Sequence, residues 1–261
     1  MVKQPFNYKR TITHAQYRHG DKKVKKGGLR GRLHIIITKN KFVLDKELKE
    51  KGYYSHANAD FWVKPVHGIV YISLLWGGGA FLLIFIGALV ALFSSGNKEI
   101  TITNVLVTLS FLLGVIFFVV YYYTAPYKEF ICNRKDGLLT YPGFMWQKNI
   151  TMPINRVIFT MSGPSVQGTG AFELIIARPD RFYSKYLASM NNNCYEDLSF
   201  YLWYMDKNRP LPPGTAFDPY REEDFERRKS EGFPKPLFPS SIPTPEATPE
   251  QQAERLMIGG W

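Results

Sequence analysis

The chain has 261 residues, with 45% hydrophobic side chains, a formal net charge of +11 and two cysteines. Two stretches without a charged residue, 65–97 and 100–127, follow each other closely near its middle. Each exceeds the roughly 20 apolar residues with which a helix crosses the hydrocarbon core of a bilayer. This pattern excludes an ordinary soluble protein and predicts a membrane protein.

The charge excess lies entirely before the first apolar stretch. Residues 1–65 hold 16 basic and 5 acidic side chains, whereas residues 124–261 hold 16 of each. Positive charge stays on the cytoplasmic side of a first span, so the N-terminus is predicted to be cytoplasmic. A second span returns the C-terminus to the same side. Cys132 and Cys194 then lie in the cytoplasm, where a structural disulfide is not expected.

The basic arm, residues 1–65, is the first predicted part. Residues 33–38 read as a strand, 42–44 as a return strand, and 45–51 as a short helix. A basic cluster precedes them and is a candidate site for anionic lipid head groups, or else a determinant of orientation alone; it consists of Lys22, Lys23, Lys25 and Lys26. No nucleic-acid motif accompanies the charge, so nucleic acid is not a predicted partner.

A transmembrane helical hairpin is predicted over 66–124, with spans at about 68–93 and 104–123. Small residues such as Gly77 and Gly87 permit close helix packing in lipid. They pack against the other span of the hairpin or, alternatively, against a second copy of the chain. Because no acidic or basic residue lies inside either span, a transporter or channel is not predicted. Aromatic residues are predicted to anchor the ends of the spans at the interface; they are Trp62, Tyr71, Trp76, Tyr121, Tyr122 and Tyr123.

Residues 125–209 are predicted to form a small antiparallel, strand-rich cytoplasmic module closed by a helix. Asp136-Gly137 is a hairpin-turn signal, and strands are expected near 130–132, 138–141, 150–154, 156–161 and 172–177. A helix over 195–205 is capped by Asn193. Strands followed by one helix are the order of a pleckstrin-homology-like module. The strands of the arm are candidates to join its sheet. The predicted fold class is therefore membrane α+β.

The tail, 210–261, is proline-rich and carries ten of the 17 prolines. A charged helix over 220–229 is predicted to present a solvated face, and 233–248 to be extended. Thr248 begins a capping box for a last short helix. Apolar residues such as Leu256, Met257 and Ile258 allow the tail either to wrap the module or to bind a partner.

No catalytic, cofactor-binding or metal-binding set is predicted, and the chain is not predicted to be an enzyme. The glycine-rich segment 162–170 lacks the Gly-Lys-Ser/Thr ending of a phosphate-binding loop. Arginines beside aromatics can grip an acidic partner, although a salt-bridged loop is the alternative at that place. The candidate partner-binding residues are Arg178, Asp180, Arg181 and Trp203 on the module, and Leu237, Phe238 and Trp261 on the tail.

Three segments, 133–138, 178–180 and above all 203–214, carry a resemblance that covers roughly residues 60–250. The chain resembles an uncharacterised family of two-pass bacterial inner-membrane proteins in which a strand-rich cytoplasmic module follows the hairpin. The resemblance implies a bacterial inner-membrane location. It also implies an immunity or accessory role among secretion-system and toxin genes, without catalytic residues to transfer.

The sequence therefore predicts an inner-membrane-anchored binding protein whose cytoplasmic module recognises a protein partner, in toxin immunity or as a secretion-system accessory. The first alternative is an anionic-lipid-sensing protein, and the second a membrane-surface enzyme. Besides the bilayer and the protein partner, anionic lipid and a second copy of the chain are candidate partners.

Overall fold

The computed structural model describes residues 12–14, 30–44, 56–66, 68–94, 101–162, 172–179, 185–188, 190 and 193–261. The chain divides into two compact units. The sheet unit comprises Met1–Lys64, Phe130–Tyr141 and Ile150–Trp261, and the helical unit comprises Pro65–Glu129 and Pro142–Asn149. The predicted helix at 45–51 and the glycine-rich segment from residue 163 to 170 lie outside the described residues.

The helical unit contains the two apolar helices that the sequence predicts. The first runs through α1 (Gly68–Ser73), a π-helical segment (Leu74–Gly78) and α2 (Gly79–Ser94), and the second is α3 (Ile102–Thr124). Tyr71–Ser94 and Ile102–Thr124 are each long and apolar enough to cross a membrane. Thr101 caps α3, since its side chain accepts a hydrogen bond from the Asn104 amide.

Glycines and phenylalanines form the contact between the two helices. A Cβ atom at Gly77 would lie 2.5 Å from Cζ of Phe118, and one at Gly114 would overlap the ring of Phe81. The rings of Phe81 and Phe118 are 5.9 Å apart. No described atom lies within 4 Å of a Cβ added at Gly87. Two of the small residues therefore serve packing within the pair, as close approach in lipid requires.

The described strands form two sheets. The strands are β1 (Arg30–Arg32), β2 (His56–Ala57), β3 (Phe61–Pro65), β4 (Glu129–Asn133), β5 (Leu138–Tyr141), β6 (Ile150–Pro153), β7 (Phe159–Met161), β8 (Leu174–Ala177) and β9 (Lys185–Leu187). A four-stranded sheet has the order β1-β7-β8-β9, and a five-stranded sheet has the order β2-β3-β4-β5-β6. The registers of β4 on β5 and of β7 on β8 are antiparallel.

The arm joins both sheets, because β1 pairs with β7, while β2 pairs with β3 and β3 lies beside β4. The predicted strands at 33–38 and 42–44 are wrong. The Ile37 amide donates to Pro239 O (3.0 Å) and the Val43 amide to Pro213 O (3.0 Å), so each segment bonds to the tail instead of to the other. Only part of these apolar runs is buried, namely Leu33, Ile37 and Val43, whereas Phe42 and Leu44 are exposed.

Helix α4 (Cys194–Met205) forms one wall of the core, and the Asn193 side chain caps it as predicted. Trp62 of β3 packs against this helix, with ring centroids 5.1 Å from Phe200 and 5.5 Å from Tyr201. Trp62 is almost fully buried. Its predicted role as an interfacial anchor is therefore wrong, since its ring belongs to the core of the sheet unit.

The tail contains a 3-10 turn (Asp218–Tyr220) followed directly by α5 (Arg221–Ser230), and it ends in α6 (Pro249–Gly259). The predicted capping box is present, since the Thr248 side chain accepts from the Gln251 amide. The solvated face predicted for α5 is wrong in part. Asp224 and Arg228 of this helix are buried, because both meet charged partners inside the sheet unit.

Candidate partner-binding site

Asp206, directly after α4, holds the extended part of the tail. Its Oδ2 atom accepts hydrogen bonds from the backbone amides of Leu237 (2.9 Å) and Phe238 (3.2 Å) and from Nε of Arg209 (3.0 Å). Burial raises the pKa of this carboxyl group, against the opposing effect of these donors. One carboxylate therefore fixes two successive peptide units of the tail.

Arg209 also binds the extended part of the tail. Its Nη1 donates to Thr244 Oγ1 (2.7 Å) and its Nη2 to Phe238 O (2.6 Å). The planar guanidinium presents several donors in a fixed geometry, so it binds three groups at once. Burial lowers the pKa of Arg209, and Asp206 opposes that shift. Asp206 and Arg209 act as a matched pair in which each compensates the desolvation of the other.

A second set of charges lies beside α5 and α6. Arg228 forms two parallel bonds to Glu246, Nη1 to Oε1 at 2.7 Å and Nη2 to Oε2 at 2.8 Å, and its Nε donates to Asp224 at 2.9 Å. Arg255 approaches the same Glu246 carboxylate at 3.2 Å. Desolvation opposes the charged form of Arg228, but the bonds to Glu246 and Asp224 raise its pKa overall.

Arg134, in the turn between β4 and β5, joins the two sets. Its Nη2 donates to Arg209 O (2.5 Å) and Asp206 O (3.2 Å), and lies 3.3 Å from the Asp224 carboxylate. Its Nε and Nη1 are buried without a hydrogen-bond partner in the described part of the chain. Burial lowers the pKa of Arg134, and Asp224 opposes that shift. The turn predicted from Asp136-Gly137 thus positions a buried cation at the base of the tail.

The last residues of the chain are also docked. The Arg255 guanidinium lies over the Trp261 ring, 4.3 Å from its centroid, and the Trp261 indole N–H donates to Phe233 O at 2.9 Å. Of the two alternatives for the tail, the structure shows wrapping of the sheet unit by the tail.

Four residues of the module are candidates for partner binding, and the two that the structure describes are buried. Arg178 is buried, with its guanidinium 5.9 Å from the centroid of the Tyr141 ring. Trp203 is buried, and its indole N–H donates to Pro210 O at 2.8 Å. Their expected exposure is therefore wrong, because both fill the core. Asp180 and Arg181 lie outside the described residues.

The three candidates on the tail differ in their exposure to solvent. Phe238 is buried, Trp261 is partly buried by its contact with Arg255, and Leu237 is exposed. The structure brings Leu237 and Phe238 together with Asp206, but it does not place Trp203 at that contact. The lipid-binding candidates lie outside the described residues, namely Lys22, Lys23, Lys25 and Lys26.

An exposed apolar tip on α6 is formed by three residues that the sequence analysis named as apolar positions of the tail but did not choose as partner-binding candidates. Leu256 is 52% exposed, Met257 79% and Ile258 45%. Next to them, Arg255 is buried and Gly260 ends the helix in a left-handed conformation at φ 71°. The signal in the sequence was the aliphatic run itself, but a run alone does not tell whether its side chains face the core.

Among the described residues, no cluster of three or more His, Cys, Asp or Glu side chains could hold a metal ion. A cleft beside Arg228 and Glu246, lined also by Leu211 and Arg221, has a volume of about 10 Å³. That is room for roughly one water molecule and not for a small-molecule ligand.

Comparisons of the chain with protein-family models, with curated proteins and with solved structures gave no match in any of the three.

Proposed function

We propose that this protein is a membrane-anchored binding protein whose sheet unit recognises a protein partner. Its location would be the bacterial inner membrane, with two spans and both termini in the cytoplasm. Two helices long enough to span and a basic arm before the first of them support this. Toxin immunity or a secretion-system accessory role is the setting that the resemblance of 203–214 favours.

The apolar tip of α6, formed by Leu256, Met257 and Ile258, is the observation that carries the proposal. Single exposed aliphatic residues are common on protein surfaces, whereas contiguous ones often mark an interaction site. This tip lies on a helix that is held near its C-terminal end, where Arg255 donates to Thr244 O and Trp261 donates to Phe233 O. A preordered apolar surface loses little entropy on binding, and methionine adapts to the shape of its partner.

The proposal includes a pleckstrin-homology-like sheet arrangement closed by α4. It is supported by the contact of α4 with β8 and by the aromatic packing of α4 on Trp62. Fold does not define function, so the partner is assigned from the tip alone. Leu237, exposed on the extended part of the tail, is a second candidate contact.

The test is purification of the full-length protein from its native host in mild detergent, comparing the natural chain with Met257→Asp. The matched control is Ala253→Ser, because Ala253 is exposed on the same helix but lies outside the tip. We expect a stoichiometric protein partner with the natural chain and the control, weakened at least tenfold by Met257→Asp when the purified components are mixed. Recovery of anionic lipid alone would support lipid sensing instead and contradict the proposal.

The immunity role has its own test in cells. Deletion of the gene with its neighbours intact should make cells sensitive to unmodified sister cells, and expression of the natural chain should restore resistance. Met257→Asp should fail to restore it, and Ala253→Ser should succeed. Deleted cells that stay resistant would contradict immunity while leaving the binding role open to the purification test.

A further inference from the structure

The loop Pro142–Asn149, which joins β5 to β6, belongs to the helical unit. Its Trp146 ring packs edge-on against Tyr121 and Phe117 of α3, with centroid distances of 5.0 and 5.4 Å. The Trp146 indole N–H donates to Thr124 Oγ1 at 2.7 Å. The loop is therefore bound to the last turns of an apolar helix.

A buried ammonium group holds the loop in shape. The Lys128 Nζ donates to Gly143 O at 3.0 Å and also to Gln147 O, and the Lys128 side chain is almost fully buried. The Asn149 side-chain amide donates to Tyr127 O at 3.2 Å. A Cβ atom at Gly143 would overlap backbone atoms across the loop, so the turn requires glycine there. These contacts define the conformation of the loop, and with it the side chains that point outward.

Those outward side chains are aromatic and basic. Phe144 is 39% and Trp146 42% exposed, and Lys148 is exposed as well. Tyr123, in the last turn of α3, is also exposed. Aromatic side chains with a polar tip are enriched where a spanning helix leaves the hydrocarbon, and lysine reaches toward head groups at the same level. The loop therefore continues the aromatic end of α3 with residues from a distant part of the sequence.

We propose that the loop Pro142–Asn149 is a lipid-interface element, with Phe144 and Trp146 among the lipid head groups and Lys148 facing their phosphates. The occupant of this surface is the bilayer itself, because the loop is bound along Phe117, Tyr121 and Thr124 of a membrane-spanning helix. The inference rests on the membrane anchoring in the proposed function. It adds a second kind of membrane contact, which the two apolar stretches alone do not predict.

The test uses the full-length protein in vesicles of phosphatidylcholine and phosphatidylglycerol, with an environment-sensitive fluorophore on Phe144→Cys. The same label on Val90→Cys, at an exposed position in α2, reports the span. Cys132 and Cys194 are buried, and replacing both by alanine removes any background. We expect the label at 144 to be blue-shifted and quenched most by nitroxides near the head group. The label at 90, which lies within the span Tyr71–Ser94, should be quenched by nitroxides on the acyl chains and shielded from aqueous iodide.

Three outcomes would overturn the inference, and they differ from one another. If aqueous iodide quenches the label at 144 while the label at 90 lies in lipid, the loop does not contact the lipid. Membrane anchoring by the helices would still stand in that case. A label at 144 shielded from both quenchers shows that protein covers the loop. Labels in water at both positions reject membrane anchoring as a whole. Lys148→Cys, labelled in the same way, replaces Phe144→Cys if that variant does not fold.

Discussion

Arg228 and Glu246 meet through two parallel hydrogen bonds of 2.7 and 2.8 Å, and their side chains are only 1% and 2% exposed. Arg228 lies on α5, whereas Glu246 lies in the extended segment before α6. The pair therefore joins two parts of the tail inside the sheet unit. A buried ion pair adds little net stability compared with apolar residues, but loss of one partner leaves an uncompensated charge.

Removal of one member of this pair is expected to be strongly destabilising. Glu246→Gln should lower the free energy of unfolding by about 3–5 kcal/mol, because the buried Arg228 and Arg255 both lose this carboxylate and Arg228 keeps only Asp224. Denaturant unfolding in detergent, followed by tryptophan fluorescence, measures the change. Glu250→Gln, an exposed change in the first turn of α6, should stay within about 0.5 kcal/mol. Equal effects of the two variants would show that the pair does not hold the tail.

Asp206 is expected to control the docking of the extended tail. Asp206→Ala removes the acceptor for the amides of Leu237 and Phe238, and each buried donor left unsatisfied costs about 1–3 kcal/mol. Hydrogen exchange of these two amides should then speed up by at least tenfold in the full-length protein. Asp218→Ala, which removes a carboxylate half-exposed beside Arg221, should leave their exchange unchanged. Slow exchange in Asp206→Ala would contradict this role.

The glycines of the helical unit are expected to differ in their tolerance to a methyl group. Gly114→Ala places that group against the Phe81 ring and should lower the melting temperature in detergent. Gly87→Ala gains the same helix propensity, about 1 kcal/mol, without a described neighbour within 4 Å, and should raise it or leave it unchanged. Phe81→Leu should partly rescue Gly114→Ala by making room. Similar melting temperatures for the two alanine variants would argue against the Gly114–Phe81 contact.

The buried Cys132 thiol is expected to lower the free energy of unfolding at alkaline pH. Burial raises the pKa of this thiol well above its ordinary value, whereas in the unfolded chain it ionises near pH ~8.5. Above that pH the folded state holds a proton that the unfolded state has lost, so the free energy of unfolding decreases as pH rises. Denaturant unfolding between about pH 7 and 9.5 should show a smaller decrease in Cys132→Ala. An identical slope in both proteins would contradict the linkage.

The local features of this fold could be predicted from the sequence because their signals are local. The two apolar helices, the cap at Asn193 and the capping box at Thr248 each depend on residues within one or two turns. The turn at Asp136-Gly137 is a feature of the same kind, and Gly137 has φ 66°. In each case the physical cause lies inside the segment itself.

The remaining features depend on partners that are distant in sequence. Ile37 bonds to residues near 240, and no local pattern of residues 33–38 distinguishes that contact from a hairpin. Asp224 and Arg228 have the spacing of a solvated ion pair on a helix, and their burial depends on Arg134 and Glu246, which are distant in sequence. For the same reason the exposure of Met257 and the burial of Trp203 could not be predicted, since both depend on which side of a helix the tail covers.

The five-stranded sheet has a consequence for biosynthesis. It takes β2 and β3 from before the two apolar helices and β4, β5 and β6 from after them. A ribosome releases β3 first and must then synthesise both apolar helices before β4 exists to pair with it. During that interval the edge of β3 that faces β4 is unpaired, and such an edge is prone to non-native pairing. The five-stranded sheet can therefore be completed only after both apolar helices have been synthesised, and a chain that stops before β4 leaves that edge open.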